Sequence, residues 1–140
     1  MMSIDEKIKA VCADVLPDMT YVFADWFDAS RTVSKVPLPA VINILPVGGF
    51  LEVRNGRRRD VQNSAVAFVD KVPKDATGED NARAYNRMKE AAFTFVRGLN
   101  ESGWFEPLTE PVSYTVIYEQ LTSIVTGVYL DIQLRELPQC

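Results

Sequence analysis

Apolar and polar positions alternate along residues 50–72 in the way that a long β-hairpin requires. The stretch opens with FLEVRNGRRRD, in which Asn55-Gly56 lies between β-prone residues. Both central residues of a type I′ turn need a positive φ, and asparagine and glycine tolerate it best. The outgoing strand then becomes apolar on both sides at Val66 and Phe68. We therefore expect this strand to be covered on both faces.

Apolar positions that recur every three to four residues predict two helices. The first begins at a capping box formed by Ser3 and Glu6 and ends before Pro17. The second is the main helix, which begins near Thr77 or Asp80.

The main helix ends at Gly103 and has an apolar stripe that includes Met88, Phe95 and Leu99. We expect this stripe to dock onto the sheet face that carries Leu130 and Ile132. A polar stretch at Ala29–Lys35 is expected to be a loop, and residues 119–126 fit a strand, a bulge or a helical turn.

Strand-like composition predicts four further strands, at Thr20–Phe27, Ala40–Leu45, Pro111–Tyr118 and Val128–Arg135. Pro46 and Gly48-Gly49 are expected to end the second of these. The predicted fold is α+β, a single domain over residues 1–140, with an antiparallel sheet and two helices packed on one face. Because two helices cannot cover both faces, we expect something external, such as another subunit, to cover the second face.

Charge and length narrow the classes of partner. The chain has 140 residues and a net charge of −4, which argues against a broad basic face that grips nucleic acid. No apolar run is long enough to span a bilayer, so we expect a cytosolic protein with no membrane partner. Cys12, expected on the buried face of the first helix, and the terminal Cys140 imply neither a disulfide framework nor a zinc site.

Candidate catalytic residues are few because the chain has no histidine. That absence removes the commonest general base and the usual zinc ligand. Asp60 with Asp70-Lys71 comes nearest to a metal-dependent nuclease set, but the spacing is wrong for it. Gly48-Gly49 precedes a strand rather than a helix and has no phosphate-binding lysine. We expect no catalysis, no metal and no cofactor.

Candidate interface residues are a charge cluster and several aromatic side chains. The cluster Arg57-Arg58-Arg59 either faces water on the hairpin shoulder or contacts a neighbouring subunit or DNA. Trp104-Phe105 either packs over the end of the main helix or, if exposed, anchors an interface. Tyr129 and Asp131 are the remaining candidates, on the outer side of the last strand.

The order of elements, with a few local sequences, resembles the tail terminator, or tail-completion, proteins of long-tailed bacteriophages and prophages. The matching features are the opening amphipathic helix, LPAVINILP at Leu38–Pro46, AVAFVDKVP at Ala65–Pro73, the single main helix and TGVYLDIQLRE at Thr126–Glu136. The resemblance implies a hexameric ring that caps the tail tube and joins it to head-tail connector proteins. It implies assembly in the cytoplasm of the bacterial host, a final place in the virion tail and no single functional residue.

Two other classes of function fit the same sequence. One is an interaction module of another system that binds a protein partner through an exposed sheet face. The other is a small metal-dependent enzyme that uses Asp60 and Asp70. In the ring hypothesis, Arg57–Arg59 of one copy would reach acidic groups such as Asp131 or Glu136 of the next copy.

Overall fold

A computed structural model describes residues 2–120 and 124–137 of the chain. Its elements, in chain order, are α1 (Ile4–Val15), β1 (Thr20–Ala24), α2 (Trp26–Val33), β2 (Ala40–Arg54), β3 (Arg57–Lys71), α3 (Gly78–Glu101), β4 (Tyr114–Gln120) and β5 (Val125–Arg135). The α+β class predicted from the sequence is confirmed.

The five strands form one sheet in the order β1-β2-β3-β5-β4. The pairs β2–β3, β3–β5 and β5–β4 are antiparallel, but β1 runs parallel to β2. The sheet is therefore mixed rather than wholly antiparallel. The parallel pair arises because the chain returns from β1 to β2 through α2, the kind of crossover that parallel strands need.

One face of the sheet, here called the helix face, is covered by α1 and α3. Phe95 and Leu99 of α3 pack there in one buried cluster with Leu130 and Ile132 of β5, as the apolar stripe predicts. The phenyl rings of Phe68 and Phe95 have centroids 5.5 Å apart. The alternation of apolar and polar residues along β5 thus correctly predicts which side chains point inward.

The helix α2 corrects two sequence predictions, a strand that continues to Phe27 and a loop at Ala29–Lys35. The Asp25 carboxylate accepts a hydrogen bond from the Asp28 N–H at 2.7 Å and caps the helix. Ala29 and Val33, one turn apart, bury the inner side of the helix. The polar residues between them concealed this short apolar stripe.

The helix α2 packs on the second face of the sheet, here called the opposite face. Ala29 and Val33 form a buried cluster there with Ile42, Ala67 and Val69. The expectation that something external must cover this face is therefore wrong for its central part. The chain covers it with a helix of its own.

The strand β2 does not end at Pro46 and Gly48-Gly49 as predicted. Its pairing with β3 shifts register between Ile44 and Gly48 and then continues to Arg54. A bulge of this kind re-aims a strand without ending it. Gly49 suits this position because a Cβ added there would lie 2.2 Å from the Val61 carbonyl oxygen.

The remaining predictions concern turns, caps and cysteines. The capping boxes at Ser3 and at Thr77 are both present. The pairing of β4 with β5 shifts register between Ile117 and Gln120, and residues 121–123 of the stretch with three alternatives lie outside the described residues. Cys12 is a buried free thiol, whereas Cys140 lies outside the described residues.

Candidate interaction surface on the hairpin arm

The β2–β3 hairpin extends beyond the body of the protein. β1 pairs only with residues 40–44 of β2, so no described strand lies beside the ladder past the bulge on the β2 side. We call this part, residues 48–63, the arm. Its turn has the predicted positive φ values, 52° at Asn55 and 78° at Gly56. The arm therefore presents an unpaired strand edge, a common template for pairing with another chain.

The arm carries apolar side chains in water. Leu51 is 80% exposed and Val53 is 74% exposed, and Val47 in the bulge is 99% exposed. Phe50 is partly exposed as well. Single exposed apolar residues are normal, but a contiguous group on one projecting element is typical of an interaction site.

The register assigns these side chains to faces. Leu51 pairs with Asp60 and Val53 with Arg58. Even-numbered residues of β3 point to the helix face, as Gln62 does when it donates to the Asp5 carboxylate of α1 at 3.1 Å. Leu51 and Val53 therefore lie on the helix face, beyond the end of α1.

A groove separates the arm from the N-terminus of α1. It has a volume of about 510 Å³, and Met2 and Ile4 line one side of it while Leu51, Val53 and Arg58 line the other. The lining also includes carboxylates, those of Glu52, Asp60 and Glu136, beside the three arginines of the hairpin. The groove therefore combines apolar side chains with charges of both signs.

Ion pairs hold the base of the arm on the opposite face. Arg59 donates to the Glu106 carboxylate at 2.9 Å, and Arg135 lies 3.6 Å from the other oxygen of that group. Arg135 also pairs with Glu52, and its guanidinium lies 5.5 Å from the centroid of the Phe50 ring. These contacts cross from β2 to β5 and stiffen the root of the arm.

The three arginines of the cluster Arg57-Arg58-Arg59 thus have different environments. Arg59 is committed to Glu106 within the chain, whereas Arg57 and Arg58 are exposed and make no ion pair with any described residue. Arg54 is exposed across the turn. The tip therefore carries a small cluster of positive charge, although the chain has a net charge of −4.

A buried ion pair lies under α1, close to the base of the arm. Lys7 pairs with Glu136, with side chains that are only 4% and 15% exposed. Glu136 therefore already has a cationic partner within the chain, and the suggested contact of this residue with an arginine of a neighbouring copy stays a prediction. Burial raises the pKa of Asp60 above its usual value, and the charges of Glu136 and Asp5 raise it further.

The other predicted interface residues have separate environments. Phe105 is buried and Trp104 packs partly buried against the same core, so the packing alternative is correct for Phe105. Tyr129 is half-buried and meets Trp26 of α2 edge to face, with ring centroids 6.4 Å apart. Its pKa is raised by burial and by Asp131, which is itself an exposed residue.

A second free strand edge lies on the other side of the sheet. β4 is the last strand, and Tyr114 and Tyr118 are exposed on its helix face. The Lys89 ammonium lies 5.1 Å from the centroid of the Tyr114 ring, and Tyr85 packs edge to face on Tyr118. Contacts from α3 thus hold these two tyrosines in place beside an unpaired edge.

The residues of the enzyme alternative do not come together. Asp60 lies at the base of the arm, whereas Asp70 pairs with Arg87 of α3 at 2.9 Å. Ten residues of strand separate them by about 33 Å. Within residues 2–120 and 124–137, no group of three or more His, Cys, Asp or Glu side chains could hold a metal ion.

None of the helices in that part of the chain is long and apolar enough to cross a membrane.

The sequence reasoning missed the exposed apolar residues of the arm. The signal was present in the hairpin itself, because Leu51 and Val53 alternate with Glu52 and lie opposite the charged run Arg58-Arg59-Asp60. An apolar side chain that faces a charged residue across a ladder has no core to enter.

In comparisons with known proteins, the chain matches no protein-family model and no curated protein.

Proposed function

We propose that this chain is a structural subunit that associates with copies of itself into a closed ring, and that the ring caps a phage tail tube as tail terminator proteins do. The observation that carries the proposal is the arm, with Leu51 and Val53 exposed on a projecting hairpin. A projecting apolar element of this kind gains stability when a partner covers it.

Two features support a second copy as that partner. Among the free strand edges of the described residues, those of the arm and of β4 carry exposed apolar or aromatic side chains on the helix face, while β1 is a further edge strand. A heterologous contact between two different edges of one chain generates a ring when the rotation closes.

Charge supports a role for the arm tip in orientation. Arg57 and Arg58 are exposed without a described ion-pair partner, in a chain that is acidic overall. Rim charges of this kind affect the rate and orientation of association more than its strength, and salt screens them. The proposed assembly should therefore form more slowly at high salt.

The test is light scattering across protein concentration, with electron microscopy of the concentrated sample and of purified tail tubes mixed with the chain. We expect monomers when dilute, rings when concentrated, and rings on tube ends. Arg57→Glu with Arg58→Glu should slow ring formation. The matched control reverses Lys9 and Arg97, exposed cations of α1 and α3 that lie away from the arm. Arg59 is left intact because its reversal would break the pair with Glu106.

A chain that stays monomeric at every concentration and leaves tube ends bare would overturn the ring proposal. The interaction module is the second candidate, and the same exposed arm supports it. It predicts monomers throughout, with a foreign protein bound to the arm.

A further inference from the structure

We infer that two copies of the chain join by edge-to-edge β-pairing, in which residues 48–54 of β2 in one copy pair antiparallel with β4 of the next copy. The inference rests on the proposed function in taking a second copy as the partner. It adds to that proposal which two strands pair, in which direction they run and in which register they pair.

Both edges are open and of matching length. Residues 48–54 of β2 pair with β3 on one side but not with β1 on the other, and β4 spans the same number of residues at the far side of the sheet. Each edge has backbone N–H and C=O groups that no described strand uses. Pairing the two edges satisfies these groups in the way that β-strand addition does.

Strand direction favours this pair of edges. β2 runs antiparallel to β3, β3 to β5 and β5 to β4, so β4 runs opposite to β2. A ring axis roughly along the strands preserves these directions from copy to copy. The arm therefore meets the neighbouring β4 antiparallel, and the tilt of the strands supplies the step along the sheet, as in closed barrels.

The face of the sheet on which each side chain lies restricts the register of the proposed pairing. Leu51 and Val53 lie on the helix face of one edge, and Tyr114 and Tyr118 lie on the helix face of the other. Directly opposed residues must share a face, and a slip of one residue would break that rule. The register that best joins apolar side chains opposes Val53 with Tyr114, Leu51 with Val116 and Phe50 with Ile117.

Charge agrees with the same arrangement. In this register the tip of the arm lies beside the segment that leads into β4, where Glu110 is exposed and has no ion pair with any described residue. Arg57 and Arg58 then approach a carboxylate rather than another arginine. The opposite direction of pairing would move the tip away from Glu110.

Cysteine cross-linking between two separately purified variants tests the pairing. One variant carries Val53→Cys and the other carries Tyr114→Cys with an affinity tag, both with Cys140→Ser. Opposed residues of an antiparallel ladder have Cα atoms about 4.5–5.5 Å apart, within the range that a disulfide spans. We expect disulfide dimers in the mixture under mild oxidation and few in either variant alone. Thr115→Cys, one residue along β4 and on the other face, is the matched control and should cross-link at least tenfold more slowly.

A second measurement separates the pairing from the proposed function. Val53→Lys should weaken association at least tenfold, whereas Phe93→Lys, at a 70% exposed site of α3 outside both edges, should not. Rings that form normally with Val53→Lys and give no Val53–Tyr114 disulfide would overturn the pairing and leave the ring proposal standing. Disulfide dimers of Val53→Cys alone would indicate arm-to-arm pairing and also overturn it. Monomers at all concentrations would overturn both proposals.

Discussion

The two halves of the β2–β3 hairpin share one ladder but differ in what covers it. Near the body, Val41 and Phe68 point to the helix face and Ile42 and Ala67 to the opposite face, and all four are fully buried. In the arm, Leu51 and Val53 continue the same alternation in water. The alternation of a strand therefore indicates its two faces, but coverage depends on elements distant in sequence.

The largest expected difference between the halves is in stability. Phe95→Ala removes a ring that packs on Phe68 in the body and should lower the free energy of unfolding by about 3–5 kcal/mol. Val53→Ala in the arm should change it by less than about 0.5 kcal/mol. Urea denaturation of the dilute protein measures both. Similar losses in the two variants would mean that the arm belongs to the core.

The buried ion pair between Lys7 and Glu136, at the base of the arm, should give the next largest effect on stability. Lys7→Met leaves Glu136 buried without its partner and should cost about 3 kcal/mol of unfolding free energy. Lys9→Met, at an exposed position of the same helix, is the matched control and should be near neutral. Adding Glu136→Gln to Lys7→Met should recover part of the loss. If Lys7→Met were as mild as its control, the pair would carry no stability.

The fold was predictable from the sequence where local signals and burial agree. The Asn55-Gly56 turn, the Ser3 cap and the inward side chains of β5 each follow from one short pattern. The helix α2 was missed because polar residues separate the buried Ala29 and Val33 over its two turns.

The candidate surface was only partly predictable. The arginines of the hairpin stand out in the sequence, but the commitment of Arg59 to Glu106 depends on a loop 47 residues away. The unpaired edge of the arm depends on the short length of β1, which pairs with only five residues of β2. Local sequence cannot report either long-range fact.

A smaller effect concerns pH at the base of the arm. Burial, with Glu136 and Asp5, raises the pKa of Asp60, so the folded chain binds this proton more tightly than the unfolded chain does. The charged carboxylate thus costs stability at neutral pH, and the cost disappears as pH falls from the raised pKa through 3.8. Asp60→Asn should be slightly more stable than the parent at pH 7 and equal to it at pH 3. A parent protein that is more stable than the Asp60→Asn variant at pH 7 would contradict this prediction.

Hydrogen exchange at two protein concentrations compares the halves most directly. We expect amides of residues 48–54 and of β4 to exchange fast in dilute protein and to become protected when the protein associates, while amides of residues 40–44 stay protected throughout. This pattern follows if the arm is an open edge that a second copy covers. Arm amides that are as protected as the body in dilute protein, or that stay unprotected in the associated form, would contradict it.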